Sequence, residues 1–148
     1  MGLFDSFNIS ASALTAQRLR MDIISQNIAN VNTTRTEVGT PYRRKVVVFQ
    51  EKEADIPFSQ YLSEESRKRF LTGGGVRVAA IVEDPTPFKE VYDPSHPDAD
   101  ENGIVRMPNV EIVTEMVNMI SATRAYEANV TAMNASKSMA SKALEIGR

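Results

Sequence analysis

Apolar side chains recur every three or four residues along the C-terminal part of the chain. The series, with alternating spacings of four and three, runs through Ile112, Met116, Met119, Thr123, Tyr126, Val130, Met133, Lys137, Ala140 and Leu144. Eight of these ten positions are apolar, and a series of this kind forms the seam of a coiled coil. The pattern predicts one long helix over about 110–146, with Asn109 as its N-cap.

A second series on the same predicted helix has small side chains. It comprises Ser121, Ala125, Ala128, Ala132 and Ala135. Small side chains allow another backbone to approach closely, but alanine is also simply a good helix former, so both interpretations stay open. If both faces of the helix are buried, a single antiparallel partner covers only one of them.

The N-terminal part carries a similar but weaker pattern. Its series runs through Phe7, Ser10, Leu14, Gln17, Met21, Ile24, Ile28 and Val31, of which six of the eight are apolar. This spacing predicts a helix from about Ser10 to Ala29. The string NVNTT at 30–34 is rich in residues that favour turns and caps, and it predicts the end of that helix.

The central part alternates between strand and turn patterns. Strands are predicted at 44–50, 76–83, 88–92 and 104–107, turns at 73–75, 85–87 and 93–103, and a short helix at 58–71. The predicted fold class is therefore α+β, in which antiparallel N- and C-terminal helices form a coiled-coil pair beside a small central β-rich module. The three segments are 1–34, 35–109 and 110–148, and the two helical arms pair with each other.

Composition supports this division of the 148 residues. All seven prolines lie between Pro41 and Pro108, and because proline interrupts helix interiors, both ends are free to form long helices. The chain has no cysteine, which excludes disulfides, thiolate metal sites and a cysteine nucleophile. Its formal net charge of -2 argues against nucleic-acid binding, which needs a concentrated positive surface.

Candidate chemistry is confined to one acidic turn. Asp98, Asp100, Asn102 and Gly103 match the first half of an EF-hand calcium loop, but the twelfth position is Asn109 instead of glutamate. A solvated acidic turn is the favoured interpretation, with a weak calcium site as the alternative. Nearby Asp93, Ser95 and His96 are neighbours in sequence, whereas catalytic triads converge from separate elements. We expect no enzymatic activity, no metal and no cofactor.

Two neutral helical arms with two faces to bury indicate a protein that assembles. If each subunit places one face on a different face of its neighbour, the contact is heterologous and propagates into helical or tubular assemblies. A self-assembling structural protein is therefore the function that the residues favour. A soluble helical adaptor or a type III secreted protein is the alternative.

Several strings carry a family resemblance. They are SAL at 12–14, NIANVNT at 27–33, PYRRK at 41–45, VVF at 47–49, YDP at 92–94, MPNV at 107–110, EMVNMISA at 115–122, RAYEAN at 124–129 and KSM at 137–139. Together they cover most of both arms, and the chain resembles the bacterial flagellar axial proteins of the rod and hook, in particular the branch that builds the proximal rod. The stretch 51–72 looks longer than in compact members of the family.

The resemblance implies a structural subunit of the flagellar basal-body rod, which transmits torque and encloses the path of exported subunits. It implies a periplasmic location reached through the flagellar type III export apparatus without a cleaved signal. The implied partners are proximal and distal rod subunits, rod–membrane-ring junction proteins and copies of the chain itself, with no nucleic acid and no membrane span.

We expect the interface side chains to lie on both arms. On the N-terminal arm they are Leu14, Met21, Ile24 and Ile28, with Asn27, Asn30 and Asn32 bonding backbone ends of adjacent elements. On the C-terminal arm they are Met116, Met119, Tyr126, Val130 and Met133 on the seam, and Ala125, Ala128 and Ala132 on the small face. Ordinary packing within the chain is the alternative for all of them.

Overall fold

The computed structural model describes residues 3–52 and 74–147. In chain order these residues form α1 (Leu3–Ala29), β1 (Lys45–Glu51), β2 (Val76–Glu83), β3 (Lys89–Tyr92), β4 (Ile104–Met107) and α2 (Ile112–Ile146). Helices at both termini and small antiparallel sheets between them confirm the α+β class. The coiled-coil geometry of the helix pair stays a prediction.

The two helices differ in how closely they follow the sequence pattern. Helix α2 agrees with the predicted range to within two residues, whereas α1 begins at Leu3 instead of near Ser10. Residues 3–9 contain neither proline nor glycine, and Asp5 in the first turn complements the positive end of the helix dipole. Leu3 and Phe4, four and three residues before Phe7, also continue the apolar series of the sequence towards the N-terminus.

The strands form two separate two-stranded sheets, β1 with β2 and β3 with β4. In the first sheet the Asp84 N–H donates to the Arg44 carbonyl at 2.8 Å, and the Lys52 N–H donates to the Gly75 carbonyl at 2.9 Å. These pairs at opposite ends make the sheet antiparallel. In the second sheet the register runs from Lys89 opposite Met107 to Tyr92 opposite Ile104. The helix predicted at 58–71 lies outside the described residues.

The chain divides into two compact units. The first comprises the described residues of Met1–Arg18, Phe49–Ala79 and Thr123–Arg148, and the second comprises Leu19–Val48 and Ala80–Ala122. Each unit draws residues from all three predicted segments, and the division into 1–34, 35–109 and 110–148 stays a prediction. The buried apolar side chains of the second unit are Ile23, Ile24, Val105, Pro108, Val110 and Ala122.

In the first unit, Gly75 is held against the backbone of α1. The Ser12 hydroxyl donates to the Ile9 carbonyl at 2.7 Å and accepts the Val76 N–H at 3.1 Å. Gly75 has a φ of +99°, and a Cβ at this position would collide with Ser12 Oγ and lie 3.3 Å from Ile9 Cα. The position therefore requires glycine for both its conformation and its space.

We expect Gly75→Ala to lower the free energy of unfolding by about 1–3 kcal/mol, since it combines an unfavourable φ with a steric collision. Gly39→Ala is the matched control, because Gly39 has a φ of +81° and open space around it. Urea unfolding of both variants separates the two contributions. An equal cost at the two positions would show that the contact with Ser12 has no energetic weight.

Candidate assembly interface and its buried polar support

The second unit contains a buried amide that joins three elements. Asn27 of α1 is 1% exposed. Its Nδ2 donates to the Lys45 carbonyl and to Glu115 Oε2, both at 2.9 Å. Its Oδ1 accepts the Lys45 N–H at 3.0 Å and the Tyr42 hydroxyl at 2.9 Å. Both donors and both lone pairs of the amide are used, so Asn27 ties α1 to the start of β1 and to α2.

An ion pair lies beside this amide. Glu115 of α2 is 1% exposed, and its Oε1 accepts Arg44 Nη2 at 2.7 Å and Nε at 2.9 Å. Arg44 Nη1 also donates to Asp84 Oδ2 at 3.0 Å. Burial alone would lower the pKa of Arg44, but its hydrogen bonds to Glu115 and Asp84 outweigh burial and raise the pKa. The guanidinium therefore stays charged between its two carboxylates.

Asn109 completes this arrangement from the segment before α2. Its Oδ1 accepts the Arg44 N–H at 2.8 Å, and its Nδ2 donates to the Asp84 carbonyl at 3.2 Å. The side chain thus bridges the residue before β1 to the residue after β2, and the predicted N-cap role is wrong. The first turn of α2 begins instead with the Glu115 N–H donating to the Glu111 carbonyl at 2.9 Å. We refer to Asn27, Arg44, Asn109 and Glu115 as the polar cluster.

The pKa of two groups beside the polar cluster is displaced. Burial, with Glu115 and Glu83 nearby, raises the pKa of Tyr42, so its hydroxyl stays protonated and donates to Asn27. Hydrogen bonds from the Thr86 N–H and hydroxyl, and from Arg44, lower the pKa of Asp84 from 3.8 to about 2. The folded state therefore favours the Asp84 carboxylate.

The displaced pKa of Asp84 predicts a specific acid sensitivity. Its stabilising contribution is nearly complete above pH 3.8 and is lost as the pH falls through about 2. We expect wild type to exceed Asp84→Asn in free energy of unfolding by about 2 kcal/mol at neutral pH, and the difference to disappear once the pH falls below about 2. Urea unfolding of both proteins across this range measures it. A difference that does not vary with pH would contradict the role of the carboxylate.

The same unit exposes an apolar surface on the first three turns of α2. Its members and their exposed fractions are Ile112 46%, Val113 69%, Met116 55%, Val117 61% and Ile120 55%. Separations of three and four residues place them on one side of the helix. The one charged side chain between Ile112 and Ala122 is the buried Glu115. This apolar stripe therefore has no exposed charge of its own, whereas the exposed α1 residues of this unit include Asp22, Ser25 and Gln26.

The predicted interface residues differ widely in burial. Ile24 and Asn27 are buried; Leu14, Met21, Ile28, Asn30, Met119, Ala125, Tyr126, Val130 and Met133 are half-buried; Asn32, Met116, Ala128 and Ala132 are exposed. Asn27 bonds the backbone of β1, while Asn30, the residue after α1, donates through Nδ2 to the Gln26 carbonyl in the last turn of α1 at 2.9 Å. Their participation in contacts between subunits stays a prediction.

The inward face of α2 in the second unit is rotated from the predicted seam. Glu115 and Ala122 are its buried residues, each one position before a seam residue, while Met116 is exposed. The rotation follows from Asn27 and Arg44, which hydrogen-bond Glu115. Sequence reasoning missed Glu115 because an acidic residue in the first turn of a helix is normally explained by the helix dipole.

The acidic turn is held by its own hydrogen bonds. Asp98 Oδ2 accepts the Thr34 hydroxyl at 2.7 Å, which ties the turn to the segment after α1. Ser95 Oγ donates to Asp93 Oδ1 at 2.6 Å, and His96 Nδ1 accepts the Asp98 N–H at 3.1 Å, so the serine and histidine do not form a nucleophile–base pair. Within 3–52 and 74–147, no group of three His, Asp or Glu side chains is arranged to hold a metal ion.

Neither helix, over its described residues, is long and apolar enough to cross a membrane.

Two family models match the ends of the chain. The model described as "Flagella basal body rod protein" matches residues 7–35. The model described as "Flagellar basal body rod FlgEFG protein C-terminal" matches residues 101–146. These ranges contain most of α1 and α2 and include Asn27, Asn109 and Glu115 of the polar cluster.

Relatives match over the whole chain. The flagellar basal-body rod protein FlgC of Bacillus subtilis is 51% identical over the full length of both chains. The protein of the same name from Borreliella burgdorferi is 51% identical over 99% of this chain and 98% of its own. That of Salmonella typhimurium is 43% identical over the full length of both. Identity at this level over the entire length, in a family of rod proteins and not of enzymes, shows that the chain belongs to the flagellar basal-body rod protein FlgC family.

Proposed function

We propose that the chain is a structural subunit of the proximal part of the flagellar rod, and that exposed faces of its terminal helices join it to neighbouring subunits in a tubular axial structure. The apolar stripe on α2 carries the proposal. Five large apolar side chains between 46% and 69% exposed, with no exposed charge among them, form the kind of surface that soluble monomers seldom leave uncovered.

Covering the stripe favours association. Full burial of a medium apolar side chain contributes about 1.5–3 kcal/mol, so burying the exposed half of each contributes about 1 kcal/mol. Farther along α2, Ala128 and Ala132 are also exposed, which provides a second surface that a neighbouring backbone can approach closely. A subunit with two different contact surfaces forms heterologous contacts, and these propagate along an assembly without closing it.

The polar cluster supports a mechanical role for such a subunit. Arg44 connects the start of β1 to α2, and Asn27 connects the same strand to α1. A force applied to this part of the sheet is therefore transmitted to α2 through a charge-assisted hydrogen bond and to α1 through a neutral one, both partly buried. In the proposed rod, many such subunits share the torque and surround the path of exported subunits.

The proposed partners are other proximal and distal rod subunits, the proteins at the junction of rod and membrane ring, and copies of the chain itself. The proposed route is the flagellar type III export apparatus, which delivers the subunit to the periplasm without cleavage of a signal. A soluble adaptor with the same fold would remain a monomer and would not be recovered with purified basal bodies.

Deletion of the gene tests this proposal directly. We expect electron micrographs of basal bodies from the deletion strain to show membrane rings without a complete rod, and plasmid-borne wild-type protein to restore the rod and swimming. Antibody detection of the chain in the restored basal bodies is the accompanying measurement. Complete rods in the deletion strain would rule out the structural role.

A further inference from the structure

The contact between the end of α1 and the start of α2 has an ambiguous apolar pattern. In the second unit α1 buries Ile23 and Ile24, and α2 buries Ala122. A slip by one turn that brings Met119 and Tyr126 to the positions of Glu115 and Ala122 would again place apolar or aromatic side chains against α1, whereas the opposite slip brings Glu111 and Asn118 there. Apolar packing alone therefore does not exclude the first of these pairings.

We propose that the polar cluster is a register lock, which specifies one pairing of the last turns of α1 with the first turns of α2 and adds little net stability. The inference is independent of how subunits assemble. It rests on the direction of the hydrogen bonds around Asn27 and on two separate attachments of Arg44 to the segment that carries α2.

The orientation of the Asn27 amide is fixed. Its Oδ1 accepts hydrogen bonds from the Lys45 N–H and the Tyr42 hydroxyl. A flipped amide would place its NH₂ group against these two donors, so only the observed orientation forms both hydrogen bonds. Nδ2 must therefore find an acceptor on α2, and Glu115 Oε2 is that acceptor. A slip of one turn moves the carboxylate by about 5.4 Å, which exceeds hydrogen-bond range.

A slip in either direction breaks bonds that nothing replaces. One direction brings Met119 to the position of Glu115, and a thioether cannot pair with Arg44. The other brings Glu111, which carries a carboxylate, but the same slip displaces Asn109 from the Arg44 N–H and the Asp84 carbonyl. Two attachments six residues apart therefore leave one register in which every polar atom of the cluster is paired.

Such a cluster is expected to specify the register of the two helices while adding little to the free energy of unfolding. Replacing a complete buried ionic group by apolar residues of similar size is often neutral or stabilising, because the desolvation of the charges offsets their attraction. One polar pair at a helix interface can nevertheless specify its register. The two effects are separable by replacing the whole cluster at once.

The experiment uses the absence of cysteine from the chain. Asp22 and Ser121 are exposed positions on α1 and α2. Spin labels attached to Asp22→Cys and Ser121→Cys allow the distance between the two labels to be measured by pulsed electron paramagnetic resonance. With the cluster intact we expect a single, narrow distribution of distances between the two labels. In Asn27→Leu/Arg44→Met/Asn109→Leu/Glu115→Leu we expect a melting temperature within about 5 °C of wild type and a second or broadened distance distribution, displaced by several ångströms as a slip of about 5 Å requires.

A milder variant, Asn27→Leu/Asn109→Leu/Glu115→Leu, leaves Arg44 paired with Asp84 and is measured in the same way in case the fourfold variant does not fold. The control Gln26→Leu/Glu127→Leu makes the same kinds of change at exposed positions and should keep the single distance. A single, unshifted distance in a folded cluster variant would overturn the proposal. Unfolding of both cluster variants would also overturn it, since the cluster would then supply stability and not register.

Discussion

Glu115→Ala is expected to lower the free energy of unfolding by about 3–5 kcal/mol, the usual cost of removing one partner from a buried ion pair. The substitution leaves Arg44 with Asp84 alone and removes the acceptor of Asn27 Nδ2. It also leaves a cavity at a position that is 1% exposed. Because Asn27 is itself 1% exposed, water cannot readily replace the lost acceptor.

Urea unfolding followed by circular dichroism measures this loss, with Glu127→Ala as the matched control on the same helix. Glu127 is exposed, and its replacement by a strong helix former should change the free energy of unfolding by less than about 0.5 kcal/mol. Equal effects of the two substitutions would mean that the Glu115 carboxylate contributes no more than a solvated one.

Glu115→Ala and the combined replacement of the polar cluster are expected to differ in their effect on the free energy of unfolding. Removing Glu115 alone leaves Arg44 and Asn27 without their shared acceptor, whereas the combined replacement removes those two side chains as well, although Tyr42, the Lys45 backbone and Asp84 then lose a partner. The loss of unfolding free energy is therefore expected to be larger for the single variant than for the combined one, because the buried groups that Glu115 pairs with are left without it only in the first. Together the two measurements show whether the polar cluster mainly stabilises the folded state or mainly specifies the register of the two helices.

Local sequence patterns predicted most of the secondary structure. Helix α2 and the strand β4 have local signals of spacing and flanking proline, and their observed bounds agree with the predicted ones to within two residues. Helix α1 begins at Leu3 and not near Ser10, although Leu3 and Phe4, four and three residues before Phe7, continue the apolar series towards the N-terminus. The same spacing therefore indicates the earlier start, and the predicted start near Ser10 is too late.

The polar cluster could not be predicted in the same way. Arg44 and Glu115 are 71 residues apart in sequence, and no local pattern relates them. Asn109, placed before a helix, matched the ordinary signature of an N-cap, yet its amide pairs with the backbone at the ends of β1 and β2. Because Glu115 points inward to Arg44 and Asn27, the next residue, Met116, is exposed. The apolar stripe on α2 is therefore a consequence of a polar contact between residues far apart in sequence.

Val117→Asp is expected to abolish rod assembly and swimming while leaving the fold intact. Val117 is 61% exposed, so a carboxylate there remains hydrated in the free subunit, and we expect its free energy of unfolding to change by less than about 1 kcal/mol. If neighbouring subunits cover the stripe in the rod, as proposed, an unpaired buried charge costs several kcal/mol at every copy. Met119→Asp is a less clean test, because Met119 is half-buried and its replacement also disturbs the chain's own packing.

Val117→Leu is the matched control, since it keeps the position apolar and should support normal swimming zones in soft agar. The amount of each variant delivered beyond the cytoplasm distinguishes an assembly defect from an export defect, and we expect Val117→Asp and Val117→Leu to be delivered equally. Full swimming by Val117→Asp would show that no neighbour covers this part of α2. The subunit would then have to be held by other faces, such as the exposed Ala128 and Ala132, whose replacement by leucine would become the next decisive measurement.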